Sequence, residues 1–255
     1  MRIVQLSDPH IVPAEQQPVH GQDTLERLRA AVDAVNQLSP SPDLVVMTGD
    51  QINDGTEASY RAFKDALTHL RFPCHMALGN HDYRPVFRRV MLEETGVDPA
   101  PYYYSLDRPG HRIIVLDTQD EGEVSGRLDN DQLDWLEQAL STGLSSVICM
   151  HHPPVPVGVA WMDELILQDN ARFLEICGAA ASLRLILCGH VHHDFRMDLG
   201  HATVLTAPSV GLQFRKDPVV KPDGTRVIAT DEPAAFRIVD IDGPRWKTSI
   251  HQLTQ

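Results

Sequence analysis

Five short stretches of this chain end an apolar run in side chains able to hold a metal ion: "SDPH" with Asp8 and His10, "TGDQIND" with Asp50, "GNHDY" with Asn80 and His81, "MHHPP" with His151 and His152, and "GHVHH" with His190, His192 and His193. Carboxylates, imidazoles and an amide oxygen without any thiolate suit zinc, iron, manganese or cobalt better than copper(I) or an iron–sulfur cluster. Each stretch alone has an ordinary use. Gly79-Asn80 is turn chemistry, and Asp8, Asp50 or Asp82 could close a turn or cap a helix. Taken together, two carboxylates and several imidazoles gathered in one buried place would carry a severe desolvation cost unless a cation were present. Asp8, His10, Asp50, Asn80, His151, His190 and His192 are too many donors for one ion and fit two if one carboxylate is shared. His152, His193, His75 and His111 are read as structural or surface histidines, because a side chain one place along points elsewhere.

These stretches must be brought together by the elements that precede them. "RIVQL", "DLVVMTGD" and "CHMALGNHD" read as buried strands. Between them lie a helix with Leu25, Leu28, Val32 and Val35 on one face, opened by an Asp23/Glu26 capping box, and a second helix expected over 57–70. A third helix should follow Pro85. This rhythm predicts β-α-β units and a largely parallel sheet, whose carboxyl ends would converge on a ligand crevice. "YYYSLDRPGHRIIVLDT" reads as a hairpin about Pro109-Gly110. Next come a helix carrying Leu133, Leu136 and Leu140, the strand "SSVICM", a helix over 170–177 and the strand "LRLILC". A β-rich stretch from Ala202 to His251 closes the chain, with Asp242-Gly243 as a hairpin turn.

Bulk properties narrow the function. At 255 residues, 42% hydrophobic, the chain can bury a single large core. No apolar run approaches the roughly 20 residues that span a bilayer. A formal charge of −13 leaves no basic surplus to displace counterions, which argues against nucleic acid as the main partner. An anionic substrate would then need a local positive centre, and thirteen histidines make a metal the first candidate. Cys74, Cys149, Cys177 and Cys188 lack a C-x-x-C pair and sit among apolar neighbours, the pattern of buried free thiols in a reducing compartment. The N-terminal residues show no secretory leader, so a cytoplasmic location is expected.

In order and spacing, "DPH", "GDQIND", "GNHD", "HHPP" and "GHVH" resemble the signature blocks of the calcineurin-like metallophosphoesterases, most closely the bacterial branch of glycerophosphodiesterases and class III cyclic-nucleotide phosphodiesterases. "MHHPP" and "LDNDQLDWLEQAL" point to that branch. The resemblance implies an α/β fold of two packed mixed β-sheets flanked by helices, a four-layer αββα sandwich. It implies a catalytic core over residues 1–210, with residues 211–255 as a β-rich completion of the same domain that could also act as a cap or dimer contact. It assigns Asp8, His10 and His192 to one divalent ion, Asn80, His151 and His190 to the other, and Asp50 to both.

The reaction so implied is hydrolysis of a small phosphodiester, a cyclic nucleotide or a glycerophosphodiester, by a hydroxide bridging two Mn, Fe, Zn or Co ions. Asn80 would lend a carbonyl oxygen without adding charge. His81, a non-ligand, would serve the leaving or an equatorial oxygen, and Asp82 would fix the loop or orient His81. Protein phosphatases of the superfamily carry an arginine in the block after the bridging aspartate; "GDQINDG" has none, which favours a diester over a dianionic monoester. His20-Gly21, "PVPVGVAWMDE" and "SVGLQF" are candidates for shaping the pocket, where Trp161 and Phe214 could stack on a base or simply pack the loop. A monoesterase or nuclease is the enzymatic alternative, and a non-catalytic scaffold is the other. A homo-oligomer is expected.

Overall fold

The computed structural model describes residues 1–253. Along the chain run β1 (Arg2–Leu6), α1 (Thr24–Asn36), β2 (Leu44–Thr48), α2 (Glu57–Ala66), β3 (Cys74–Ala77), α3 (Arg84–Met91), β4 (Tyr104–Arg108), β5 (His111–Val115), α4 (Asn130–Leu140) and β6 (Ser145–Met150). Then come α5 (Ala160–Asp163), α6 (Ala171–Ala179), β7 (Leu183–Cys188), β8 (Arg196–Leu199), β9 (Ala202–Thr206), β10 (Gln213–Val220), β11 (Arg226–Thr230), β12 (Ala235–Asp242) and β13 (Arg245–Gln252).

Two mixed sheets pack face to face. One has the order β13-β12-β1-β2-β3, the other β4-β5-β6-β7-β9-β8, and β10-β11 form a separate ribbon. The pairs β1–β2, β2–β3, β5–β6, β6–β7 and β7–β9 are parallel, while β13–β12, β12–β1, β4–β5 and β9–β8 are antiparallel. The expected parallel arrangement thus holds through β1-β2-β3 of one sheet and β5-β6-β7-β9 of the other, and the hairpins β12–β13, β4–β5 and β8–β9 supply three of the four edges.

Strand alternation builds the layers. In β2, Leu44 and Val46 face the other sheet while Val45 and Met47 face α1 and α2. In β6 and β7, Val147, Cys149, Leu185 and Leu187 join the inter-sheet core, and Ile148, Met150, Ile186 and Cys188 turn to α4 and α6. Strands apolar on both faces are what a sheet covered on both sides requires. All four cysteines are free, and burial pushes the thiols of Cys74, Cys149 and Cys177 up to about 12. At its upper edge the inter-sheet layer becomes polar: Gln5 donates to Thr48 Oγ1 at 3.0 Å and to the Cys188 carbonyl at 2.8 Å, and the buried Arg237 binds Asp194 and the Thr206 carbonyl. The candidate ligands Asp8, Asp50 and His190 follow Gln5, Thr48 and Cys188 of this layer by two or three residues.

Local expectations hold with small shifts. Asp23 accepts from the Glu26 amide at 2.9 Å, so the cap on α1 forms. The helix expected over 57–70 ends at Ala66, and successive tight turns carry the chain through Leu70 toward β3. The β4–β5 hairpin turns at Pro109-Gly110, as Arg108 pairs with His111. The last hairpin turns at Gly243-Pro244, one residue later than expected, because Asp242 still pairs with Arg245. No helix of the described residues is long and apolar enough to cross a membrane.

Leu187 lies in the middle of the inter-sheet layer and is wholly buried. Leu187→Ala should cost about 2–5 kcal/mol of folding stability, read from urea-unfolding midpoints; a loss under half a kcal/mol would mean that the two sheets do not share that core.

Candidate metal centre

Asp8, Asp50 and Asn80 follow β1, β2 and β3 of one sheet, whereas His151 and His190 follow β6 and β7 of the other. The sheets therefore bring their carboxyl ends together from opposite sides. Five of the seven candidate ligands leave their strands with left-handed backbone: Asp8 (φ 52°), His10 (47°), Asp50 (50°), His190 (70°) and His192 (53°). Such conformations cost a non-glycine residue on the order of 1–3 kcal/mol and gather where function requires them. Here they are held by hydrogen bonds between loops, from Asp8 N to the Gly49 carbonyl (3.2 Å), from His10 N to the Asp50 carbonyl (3.0 Å) and from His190 N to Asp8 Oδ1 (3.0 Å).

Glycines allow the approach. A Cβ on Gly49 would lie 2.3 Å from His151 Nδ1, one on Gly79 2.3 Å from Asp50 Oδ1, and one on Gly189 2.3 Å from Ser7 Oγ. None of these spaces admits a methyl group.

The donor atoms fall into two sets. His151 Nδ1 lies 2.8 Å from the Thr48 carbonyl, an acceptor, so it carries the proton and Nε2 bears a lone pair when the ring is neutral. That nitrogen faces Asn80 Oδ1 at 3.1 Å, His190 Nδ1 at 3.2 Å and Asp50 Oδ2 at 3.4 Å. By the same reasoning His192 Nδ1 donates to the Leu212 carbonyl at 2.6 Å, and its Nε2 faces His10 Nε2 at 3.2 Å and Asp8 Oδ1 at 3.4 Å. His10 Nε2 lies 3.6 Å from Asp50 Oδ2, so the one carboxylate borders both sets. Acceptors turned toward acceptors repel unless a proton or a metal ion stands between them. Two adjoining sets of nitrogen and oxygen donors fit a pair of borderline divalent cations.

The protein's own charges give the same sign. Burial drives His10 and His190 down to about 3. For His151 burial acts in the same sense, but Asp50 and Asp8 outweigh it and raise the ring to about 9. The centre therefore attracts positive charge at neutral pH.

His81 sits beside the two sets. Its amide donates to Asp50 Oδ1 at 2.9 Å, its Nδ1 is 2.9 Å from the Asn53 carbonyl, and its ring stands edge-on to His10. Burial disfavours its cation, yet Asp50 and the Asn53 carbonyl prevail and raise its pKa above the ordinary value. Asp82 is turned away from the sets, accepting from the Gly79 amide and from Tyr60, and burial with repulsion from Asp50 pushes it up to about 7. His152 belongs to the packing: Nδ1 meets Thr118 Oγ1 at 2.8 Å and Nε2 the Val124 carbonyl at 3.0 Å, leaving no free nitrogen.

The cleft above the cluster is lined by His10, Asp50, Asn80, His81, His190 and His192 on its floor and by Val124, Trp161, Met162, Leu165, Phe214 and Ile228 on its wall. Phe214 spends one ring face on His192, nearly coplanar at 3.6 Å, and Trp161 packs against Phe214 while its indole N–H donates to the Lys216 carbonyl at 3.0 Å. Of the stretches singled out for the pocket, the two around Trp161 and Phe214 reach it, whereas His20 and His193 do not line it. Sequence reasoning missed Val124 and Ile228, which lie in segments without a motif. It also missed Gln119, whose amide holds the Gly79 carbonyl at 3.1 Å.

Residues 1–194 match the profile described as "Calcineurin-like phosphoesterase". A probable cyclic nucleotide phosphodiesterase of Synechococcus sp. is 34% identical, the alignment covering 98% of this chain and 92% of that protein. The glycerophosphodiester phosphodiesterase GpdQ of Enterobacter lignolyticus is 33% identical over 70% of this chain and 66% of its own length. Among solved structures, a dimetal phosphatase from Danio rerio superposes with a TM-score of 0.69 over 100% of this chain and 99% of that one; at 18% identity this likeness concerns the fold.

Gly79→Ala places a methyl group against the Asp50 carboxylate and amide. Added Mn²⁺ is expected to raise the thermal midpoint of the unaltered chain, about 2.7 kcal/mol of stabilisation at a hundredfold excess over Kd. In Gly79→Ala that metal-dependent rise should be largely lost. An equal rise in both proteins would show that the close approach of Gly79 to Asp50 is immaterial to the centre.

Proposed function

The chain belongs to the calcineurin-like phosphoesterase family, and from that premise we propose that it is a dinuclear metal-dependent phosphodiesterase that hydrolyses small diesters, a cyclic nucleotide or a glycerophosphodiester. One observation carries the reading: two sets of inward-facing lone pairs share the Asp50 carboxylate. In this reading Asp8, His10 and His192 hold one ion, Asn80, His151 and His190 the other, and Asp50 both. The ions are drawn from manganese, iron, zinc and cobalt. Bound there, such a pair supplies Lewis acidity, activating water as the nucleophile and neutralising charge on the phosphoryl oxygens.

The chain's own groups do the rest. Asp8 and Asp50 bring two negative charges, so a dinuclear centre keeps a net positive charge able to draw a phosphodiester through an acidic surface. The His81 ring, fixed at Nδ1 by the Asn53 carbonyl, turns its other nitrogen to the cleft, where it can donate to the leaving oxygen or to an equatorial oxygen. The apolar wall sheds water and receives the organic part of the ester, which favours a cyclic nucleotide with its flat base over glycerol. No arginine or lysine lines the cleft among the described residues, and this supports a singly charged diester over a dianionic monoester.

The four free thiols suit a reducing compartment, and a cytoplasmic location belongs to the same reading. So does a homo-oligomer using the segment 211–255, whose ribbon exposes Val219 and Val220.

Turnover of bis(p-nitrophenyl) phosphate should depend on added divalent metal and exceed that of p-nitrophenyl phosphate. Asn80→Ala and His81→Ala should each lower kcat/KM by about 100-fold or more. Preference for the monoester would move the protein to phosphomonoesterase chemistry, and absence of any metal-dependent turnover would leave it a scaffold.

A further inference from the structure

Among the described residues Asn80 has a single side-chain partner, His151 Nε2, so its own backbone aims its carbonyl oxygen into the centre. That backbone belongs to the tight turn from Gly79 to Tyr83. The Asp82 carboxylate, 4% exposed, pins the turn from within: Oδ2 accepts from the Gly79 amide at 2.9 Å and more weakly from the Gln51 amide at 3.4 Å. Oδ1 accepts from the Tyr60 phenol at 2.9 Å. The phenol oxygen in turn receives the Tyr83 amide proton at 3.0 Å. The phenol thus accepts from the Tyr83 amide and donates its own proton to the Asp82 carboxylate.

Tyr60 is wholly buried on α2 and packs edge-on against Phe87 of α3. It is therefore a rigid post that holds both ends of the turn, the Asp82 carboxylate and the Tyr83 amide. We propose that Tyr60 is a positioning residue for the metal centre, acting through Asp82 to aim Asn80; this rests on the reading of Asn80 as a ligand. A neutral amide contributes no net charge to hold an ion, so its hold depends on placement more than that of Asp50 or Asp8 does. Without the phenol oxygen, the partly buried Tyr83 amide loses its acceptor and Asp82 loses its donor at Oδ1. The turn then relaxes and the Asn80 oxygen drifts. The set containing His10, His192 and Asp8 makes no hydrogen bond to Tyr60 or Asp82 and meets the turn through the edge of the His81 ring, so it is displaced less.

Tyr60→Phe keeps the ring and removes only the oxygen. The test is calorimetric titration of Mn²⁺ into chelator-stripped full-length protein, with kcat and KM for bis(p-nitrophenyl) phosphate and the thermal midpoint of the metal-free protein measured alongside. The expected result is one of two Mn²⁺ binding events weakened by roughly 10- to 100-fold with the other within about threefold, a fall in kcat at nearly constant KM, and a metal-free midpoint within a few degrees of the unaltered chain. Asp82→Asn should weaken the same event, and provides the measurement if Tyr60→Phe folds poorly. Asn80→Ala should abolish that event. Equal weakening of both events with a large fall in the midpoint would make Tyr60 a packing residue and overturn the proposal, as would unchanged binding in Tyr60→Phe while Asn80→Ala loses an ion. Unchanged binding in Asn80→Ala would overturn the ligand reading itself, and the role of Tyr60 with it.

Discussion

The Asp50 carboxylate is buried between imidazoles that arrive from two different sheets, 3.6 Å from His10 Nε2 and 3.4 Å from His151 Nε2. A charge in that position cannot be left to itself. Its neighbours are nitrogen and oxygen atoms with lone pairs turned inward, so positive charge must enter the cluster if the folded chain is to hold it together. A proton on His151 supplies some when no ion is bound, and a pair of divalent cations satisfies both donor sets at once.

Much of the surrounding architecture reads as a consequence. The two sheets close until the strand ends touch, and only glycine fits at 49, 79 and 189. Five ligating candidates adopt backbone conformations that cost energy, and amide-to-carbonyl bonds between loops hold them there. Below them a polar layer of Gln5, Thr48 and Arg237 ties one sheet to the other, so the loops rest on a braced floor and not on a sliding interface of methyl groups. Strain is tolerated at the top because the inter-sheet core beneath is apolar and continuous.

The seven candidate ligands stood out in the sequence because each lies within four residues of the end of an apolar strand, where the period of the strand predicts where the chain emerges. His152 could be set aside for the same reason, and its bonds to Thr118 and Val124 account for it. The cleft wall was only half legible. Trp161 and Phe214 stand out as large aromatic residues in stretches that read as loops and fold as α5 and the start of β10, whereas Val124 and Ile228 look like any aliphatic residue, and only tertiary folding brings the β10–β11 ribbon over the site. Tyr60 was hidden more completely. On a helix with Phe63 and Ala66 it is indistinguishable from a core residue, and its oxygen matters because of a turn 20 residues away in sequence. Helix ends shifted as well, since the end of α2 depends on where β3 must begin and not on the propensity of 67–70.

The most direct measurement is anomalous diffraction from crystals of the chain loaded with manganese or zinc. Two peaks are expected, one among Asp8, His10 and His192, one among Asn80, His151 and His190, with an Asp50 oxygen within bonding distance of both. A single peak, or a pair in which Asp50 touches only one ion, would contradict the central claim.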